Sequence, residues 1–410
     1  MNKKVIAYPE SKVISLSDQE VIIALRKFIS SGREYFTSLE AFKKFPELFS
    51  AFVSDISKKI NNPHLLKLLY RLADIFNYIV EKNIVSSKDV SEIISVVNSI
   101  TTIFNEESKQ NLMIRDLCSA AIWCSIIGDS LGMPYEGMTS DKIRRLITPE
   151  SLDYQPNRRR KKESGTYTDD SGQLLAVVDT FNTFGYLDTL SVKKALHEWF
   201  EKTDRQDMGK DTFQALSTGV PNEMSTGNGA LMRALPVILI SLICSHRLVT
   251  NKNNLHSITH PNWLYHDTIS LYEQTIDYLM HNDSLEGFFD SLSTNNEELI
   301  DSLERLSGLL GPKGLDEEIE DMKNIGIESH VAQTFFSALY AFLRYPRDFK
   351  KAMYLAIAAG GDTDTRALIT GSFLGIYNGL QIIPPGLFFG LQESENIGTQ
   401  ITTFTSLLLH

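Results

Sequence analysis

Apolar residues recur every three or four positions along most of this chain, the spacing of one face of an α-helix. Val21, Ile22, Leu25, Phe28 and Ile29 follow the capping box Ser17-Asp-Gln-Glu20 and run to Gly32, which is placed to end a helix. Thr37-Ser-Leu-Glu40 is a second capping box. Asn62 and Pro63 supply a cap and a first-turn proline for a helix bearing Leu65, Leu66, Leu69, Leu72, Ala73 and Phe76. Ile93, Ile94, Val97 and Ile100 predict a fourth helix, and the polar stretch Asn105–Asn111 predicts a linker. Beyond it, helices are predicted over Leu112–Ile127, broken at Gly128, and over Leu174–Phe181, Val192–Phe200, Leu231–Ile243, Ala332–Leu343 and Thr365–Leu380. Alternating β patterns are scarce and no segment repeats. The pattern predicts an all-α protein, with a small helical bundle over residues 1–110 and a second helical domain over 111–410.

The longest uncharged run, Ala367–Gln392, is long enough to suggest a bilayer span. Its five glycines, two prolines and the polar residues Thr370, Ser372, Asn378 and Gln381 point instead to a buried helix followed by a turn, so no membrane span is expected. Gly371, Gly375 and Gly379 recur every four residues within it. In a bilayer such a stripe marks a helix dimer; in this chain it predicts close packing that seats the adjoining acidic loop against a neighbouring helix.

Composition adds limits. The 410 residues are 42% hydrophobic and 22% charged, which is globular and leaves no room for a collagen-like or wholly disordered chain. There are 51 acidic residues against 40 basic, so a broad nucleic-acid surface is not expected. Residues 1–110 carry 15 basic and 13 acidic side chains; the acidic surplus lies entirely beyond them. Cys118, Cys124 and Cys244 are too few and too odd for a disulfide framework, which suggests a reducing compartment. Met1–Lys12 lacks the apolar core of a signal peptide, and a soluble, cytoplasmic protein is expected.

Candidate chemistry gathers at helix edges in the second region. Gly128-Asp-Ser-Leu-Gly-Met-Pro-Tyr-Glu136 sets Asp129 and Glu136 either side of a Gly/Pro turn. Thr168-Asp-Asp-Ser171 and Gly360-Gly-Asp-Thr-Asp-Thr365 each open an apolar helix. Singly, such acids read as helix caps that complement the dipole. Together they offer four carboxylates and several hydroxyls, a hard oxygen set suited to two Mg²⁺ or Mn²⁺ ions rather than to zinc. Ser225-Thr-Gly-Asn-Gly-Ala-Leu-Met-Arg233 is a glycine-rich turn before an apolar helix, either a plain turn or an anion site. Ile258-Thr-His-Pro-Asn262 carries His260, alone no more than a structural histidine.

In this order, Gly-Asp-x-x-Gly-x-x-x-Glu, Thr-Asp-Asp-Ser, Gly-Asn-Gly-x-x-Met-Arg, Thr-His-Pro and Gly-Gly-Asp-Thr-Asp-Thr resemble the motifs of the ADP-ribosylglycohydrolase family, which includes ADP-ribosyl-acceptor hydrolases and dinitrogenase-reductase activating glycohydrolases. The resemblance covers roughly residues 111–390. It implies a compact orthogonal all-α fold, two Mg²⁺ or Mn²⁺ ions in a cleft, and hydrolysis of the N- or O-glycosidic bond that joins ADP-ribose to a protein side chain. It implies metal ligands at Thr168, Asp169, Asp170, Asp362, Asp364 and Thr365, and catalytic roles for Glu136, Asp169 and Asp170. It further implies that Asp129 lies at the cleft, that Ser225, Gly227, Asn228 and Gly229 contact the diphosphate, and that His260 lies near the nucleotide. The implied partners are ADP-ribose and a mono-ADP-ribosylated protein.

There are three departures, the last two of which bear on partners and substrate preference. Ser171 stands where many members have Thr. The segment Asn157–Glu163, sequence NRRRKKE, is unusually basic and reads as a solvated loop, a diphosphate or acidic-partner grip, or a nuclear-localisation patch. Residues 1–110 have no counterpart in the minimal family domain and are read as a partner or substrate adaptor. The tail, with Glu393, Glu395 and Leu407–Leu409, loosely resembles a type IV secretion signal of a bacterial effector. Two rival readings of the whole are a non-catalytic ADP-ribose-binding module and a dimetal phosphoesterase acting on the diphosphate.

Overall fold

The computed structural model describes residues 67, 69–74, 109–158, 160–203 and 208–409. The chain divides into two compact units, Met1–Lys109 and Gln110–His410. In the first, the described residues are helical and bury Leu69, Leu72 and Ala73 together with Arg71. The other helices expected over 1–110, and residues 105–108 of the expected linker, lie outside the described residues.

Among the described residues of the second unit every regular element is helical. We label the helices α1 (Lys109–Gly132), α2 (Ser140–Arg144), α3 (Asp169–Phe184), α4 (Thr189–Lys202), α5 (Lys210–Thr218), α6 (Ala234–Cys244), α7 (Lys252–His256) and α8 (Trp263–His281). Then follow α9 (Glu297–Gly308), α10 (Leu315–Ile325), α11 (Val331–Arg344), α12 (Phe349–Ala358), α13 (Thr363–Asn378), α14 (Pro385–Gly390) and α15 (Ser394–Leu408). The core centres on α13, every residue of which is buried, with α8, α11 and α12 packed on it. A second layer packs α4, α6 and α15 on α3.

Glycine is what brings α1 onto α13. A Cβ at Gly128 would lie 2.2 Å from the Ala367 carbonyl oxygen, and one at Gly371 2.1 Å from that of Cys124. Gly132 and Gly375 meet Thr363 and Ala120 in the same way. The two backbones therefore touch directly, as the glycine spacing in α13 predicts, and the Thr363 hydroxyl fastens the contact by donating to the Gly132 carbonyl at 2.9 Å.

Several boundaries differ from the pattern. Gly128 does not break α1, which runs on to Gly132; the glycine serves the close contact with α13 instead of a turn. Asp129 is thus inside the last turn of a buried helix. The expected linker overlaps α1, which begins at Lys109. Helix α6 begins at Ala234, three residues after Leu231, because residues 229–233 form turns. The C-terminal stretch read as a secretion-like tail forms α15, which buries Ile397, Ile401, Phe404 and Leu408. Residues 111–135 form the one helical stretch among the described residues long and apolar enough to cross a membrane, and its apolar window is 94% buried inside the protein.

Replacing Gly371 with Val forces two packed backbones apart. The expected cost is about 1–3 kcal/mol, as for overpacked cores, read as a lowered urea midpoint. An unchanged midpoint would show that the contact is looser than described.

Candidate active site

The α1–α13 contact places three helix ends side by side: the C-terminus of α1 and the N-termini of α3 and α13. Asp129 joins the first two. Its carboxylate accepts hydrogen bonds from the Thr168 N–H at 3.0 and 3.1 Å, from the Ser171 N–H at 3.0 Å and from the Ser171 hydroxyl at 2.5 Å. Asp129 has no exposed surface. The structure therefore buries it as an anchor for the start of α3, and the Ser171 hydroxyl supplies one of the four hydrogen bonds.

Thr168 caps α3, its side chain accepting from the Asp170 N–H at 3.2 Å. Asp169 and Asp170 fill the first turn, and Asp362 and Asp364 flank the start of α13. All four are at most 9% exposed. Burial, with the charges of Asp169, Asp129 and Asp362 nearby, pushes Asp170 well above the ordinary carboxyl range, against a side-chain hydrogen bond from Thr365. Burial also pushes Asp364 well up, helped by Glu136, Asp170, Asp362 and Asp129. The expected acids are thus brought within electrostatic reach of one another, with Glu136 at their edge.

The turn that carries Glu136 is held to the loop before α13. Gly137 N–H donates to the Gly361 carbonyl at 2.9 Å, and Gly361 N–H returns to the Met138 carbonyl at 3.2 Å. Gly360 and Gly361 both take positive φ, 83° and 75°, a conformation open to glycine. Beneath the loop, the buried Arg366 guanidinium donates to the carbonyls of Ala356 and Gly360. Burial lowers it to about 10, against the opposing pull of Asp362 and Asp364.

The glycine-rich turn closes the other side. Asn228 donates from one amide to Thr334 Oγ1 and Asp362 Oδ2, both at 2.8 Å, so it ties the turn to the acids. Ser225 donates to Asp211 at 2.6 Å and accepts from the Gly227 N–H at 3.2 Å. A Cβ at Gly229 would lie 2.7 Å from the His260 ring and 2.5 Å from Thr212 Oγ1; this glycine is required by the histidine behind it. His260 is 2% exposed and its Nδ1 lies 2.7 Å from the Thr259 hydroxyl.

A buried relay connects the two sides. Gln173 donates to Asp169 at 3.0 Å and accepts from Arg233 at 2.9 Å. Arg233 also donates to the Gly229 carbonyl at 2.6 Å and to the Thr259 hydroxyl at 2.5 Å. Sequence reading missed Gln173, Asp211, Thr334 and Arg366 as parts of the site. Gln173 had a usable signal, four residues after Asp169 on one helix face. Arg233 stood in the quoted Gly-Asn-Gly-x-x-Met-Arg motif without an assigned role. Asp211 and Thr334 had none, because only tertiary packing brings them in.

The donor set fits a hard divalent cation: carboxylates and threonine hydroxyls, no thiol, and Asp170 Oδ2 buried with no hydrogen bond. Among the described residues no three His, Cys, Asp or Glu side chains already converge on one point at ligand spacing; these like charges stand as neighbours spread from one another.

The family model described as ADP-ribosylglycohydrolase matches residues 111–410. The chain belongs to the ADP-ribosylglycohydrolase family. It is 24% identical over 281 residues to an uncharacterized protein of Archaeoglobus fulgidus, covering 66% of this chain and 89% of that protein. It is 21% identical to the ADP-ribosylhydrolase ARH3 of Gallus gallus, covering 64% and 85%. A solved ADP-ribosylglycohydrolase-related protein complex superposes with a TM-score of 0.54 at 22% identity, covering 72% of this chain and 98% of that one, which shows the shared all-α fold.

Burial and the charge of Arg233 lower His260 to about 3, so this glycohydrolase-family domain folds with a neutral imidazole. Between about 3 and the ordinary 6.5 the unfolded chain binds the extra proton. The stability lent by His260 is therefore present above 6.5 and lost as pH falls. The stability gap between the natural chain and His260→Asn is expected to narrow from pH 6.5 to 4.5 in urea titrations. A gap independent of pH would show that the ring is not held neutral.

Proposed function

We propose that this glycohydrolase removes ADP-ribose from a modified protein side chain, cleaving the N- or O-glycosidic bond at ribose C1 and so reversing mono-ADP-ribosylation. The reading is carried by one observation: buried acids at the heads of two helices push Asp170 and Asp364 far up, and Asp170 Oδ2 is left without a hydrogen bond. A binding module has no use for so costly an arrangement.

Thr168, Asp169, Asp170, Asp362, Asp364 and Thr365 would hold two Mg²⁺ or Mn²⁺ ions. Such ions supply positive charge that orients ribose hydroxyls and favours negative charge at a reacting oxygen. The remaining work falls to the chain. Asp129 and Gln173 hold the first turn of α3 in place. Asn228 fixes Asp362 relative to the glycine-rich turn. That turn, Ser225–Gly229, receives the diphosphate, and neutral His260 supports it from behind. Glu136, at the edge of the acids, takes the proton of the attacking water and returns it to the leaving side chain. The bond breaks through a transition state of oxocarbenium character. ADP-ribose and the unmodified protein are the products.

The test is a panel of arginine-, serine- and glutamate-linked ADP-ribosyl proteins, with and without EDTA. Free ADP-ribose is expected from at least one substrate, its release stopped by EDTA and by Asp170→Ala. AMP with ribose phosphate would identify a phosphoesterase instead, and binding without product a reader module.

We further propose that residues 1–110 serve as a partner or substrate adaptor. A chain lacking residues 1–105 is expected to hydrolyse a small ADP-ribosyl substrate at the full rate and a modified protein more slowly. Equal losses on both would make the segment part of the catalytic fold.

A further inference from the structure

In the basic segment the described residues are 157, 158 and 160–162, and they form a turn. Asn157 and Lys162 pair backbone to backbone, each N–H donating to the other's carbonyl at 3.0 Å. Lys161 closes the turn at φ 55°, in the left-handed region that a side chain other than glycine enters at a cost. Asn157 is 8% exposed, and its side chain works at both ends. Its amide donates to the Met133 carbonyl at 3.0 Å, and its oxygen accepts from the Arg160 N–H at 3.1 Å. One buried amide thus references the hairpin and the turn leading to Glu136 to the same point. From that position the Arg160 guanidinium forms an ion pair with Glu136. The side chains are 21% and 26% exposed, partly withdrawn from water, whereas Arg158 and Lys161 face solvent.

Glu136 needs such a partner. It is close enough to Asp364 to raise it, and Asp170, Asp362 and Asp129 bear on the same carboxyl. Like charge from this group disfavours the Glu136 carboxylate beside it unless a cation stands near. Its backbone is held by the pairing of Gly137 and Met138 with Gly361, but that pairing does not set the direction of the side chain. Arg366, the buried cation below, has turned its donors to the carbonyls of Ala356 and Gly360.

We propose that Arg160 is a positioning residue for Glu136, delivered by the 157–162 hairpin to hold that carboxylate at the edge of the acidic group. This assignment rests on the hydrolase reading above for its effect on turnover, but not for the pairing itself. Arg160 touches no reacting atom; it acts through Glu136. An arginine suits the task because its charge is permanent.

Two measurements on the full chain test it. The first compares turnover on an ADP-ribosyl protein in the natural chain, Arg160→Ala, Arg160→Lys, Glu136→Gln and the double variant. Arg160→Ala is expected to lower kcat by about tenfold with KM within about twofold, as for a lost transition-state interaction. Arg160→Lys recovers part of the loss, Arg158→Ala costs nothing, and the double variant is no slower than Glu136→Gln alone. The second is independent of activity. Trypsin cuts at the basic residues of the hairpin, and Glu136→Gln, which leaves those residues unchanged, is expected to speed cutting at 158–162 by about threefold, the scale of a partly exposed ion pair. Glu163→Gln serves as the control and leaves the rate unchanged.

An unaltered tryptic rate in Glu136→Gln overturns the pairing. A turnover in Arg160→Ala equal to or above that of the natural chain overturns the positioning role, as does a double variant whose losses simply multiply. A chain that releases ADP-ribose from no substrate sinks the hydrolase reading, and the tryptic comparison still decides the pairing.

Discussion

Where α1 crosses α13, glycines on both helices remove the side chains that would otherwise separate them, and main chain lies on main chain. That crossing decides where the chemistry sits. Asp129 follows Gly128 by one residue and reaches the start of α3; Asp362 and Asp364 stand at the start of α13, just beyond the Thr363–Gly132 hydrogen bond. A wider crossing would part these groups, and the neighbouring charges felt by Asp170 and Asp364 would fade.

Gathering buried carboxylates in this way is unfavourable, and the fold offsets it in several places. Asp169, Asp170 and Asp364 lie in the first turns of helices, where the dipole is positive. Asp129 is satisfied by four hydrogen bonds from the head of α3. Arg366 lies below and Arg160 at the rim. None of these hydrogen-bonds Asp170 Oδ2, which, like Glu136 Oε2, is buried without a hydrogen bond. The relay from Asp169 through Gln173 and Arg233 to Thr259 makes the acids and the glycine-rich turn one rigid unit.

Much of this was legible in the amino acids. Motifs that open helices, Thr168–Ser171 and Gly360–Thr365, are local signals, and the helices they open were expected within a few residues. The glycine periodicity of α13 announced a close neighbour. The failures have a common cause, in that one residue type serves two purposes. Gly128 looked like a helix end because glycine often ends helices, but its missing side chain is used for packing. Asp129 was expected at a cleft; in the structure its hydrogen bonds go to the head of α3. Helices α8, α9, α10, α12 and α15, and the short α2, α5, α7 and α14, were not anticipated, although α9 and α10 are amphipathic and bury Leu299, Leu306, Ile319 and Met322. Asp211 and Thr334 carry no pattern of their own.

The short backbone pairing between 137–138 and Gly361 has a kinetic consequence. The segment bearing Glu136 and the segment bearing Asp362 form a single stitched piece, so one cannot swing without breaking its bonds to the other. Rearrangement between these two segments is then confined to side-chain torsions, which exchange in picoseconds to nanoseconds when unrestrained, while their backbones keep a fixed spacing.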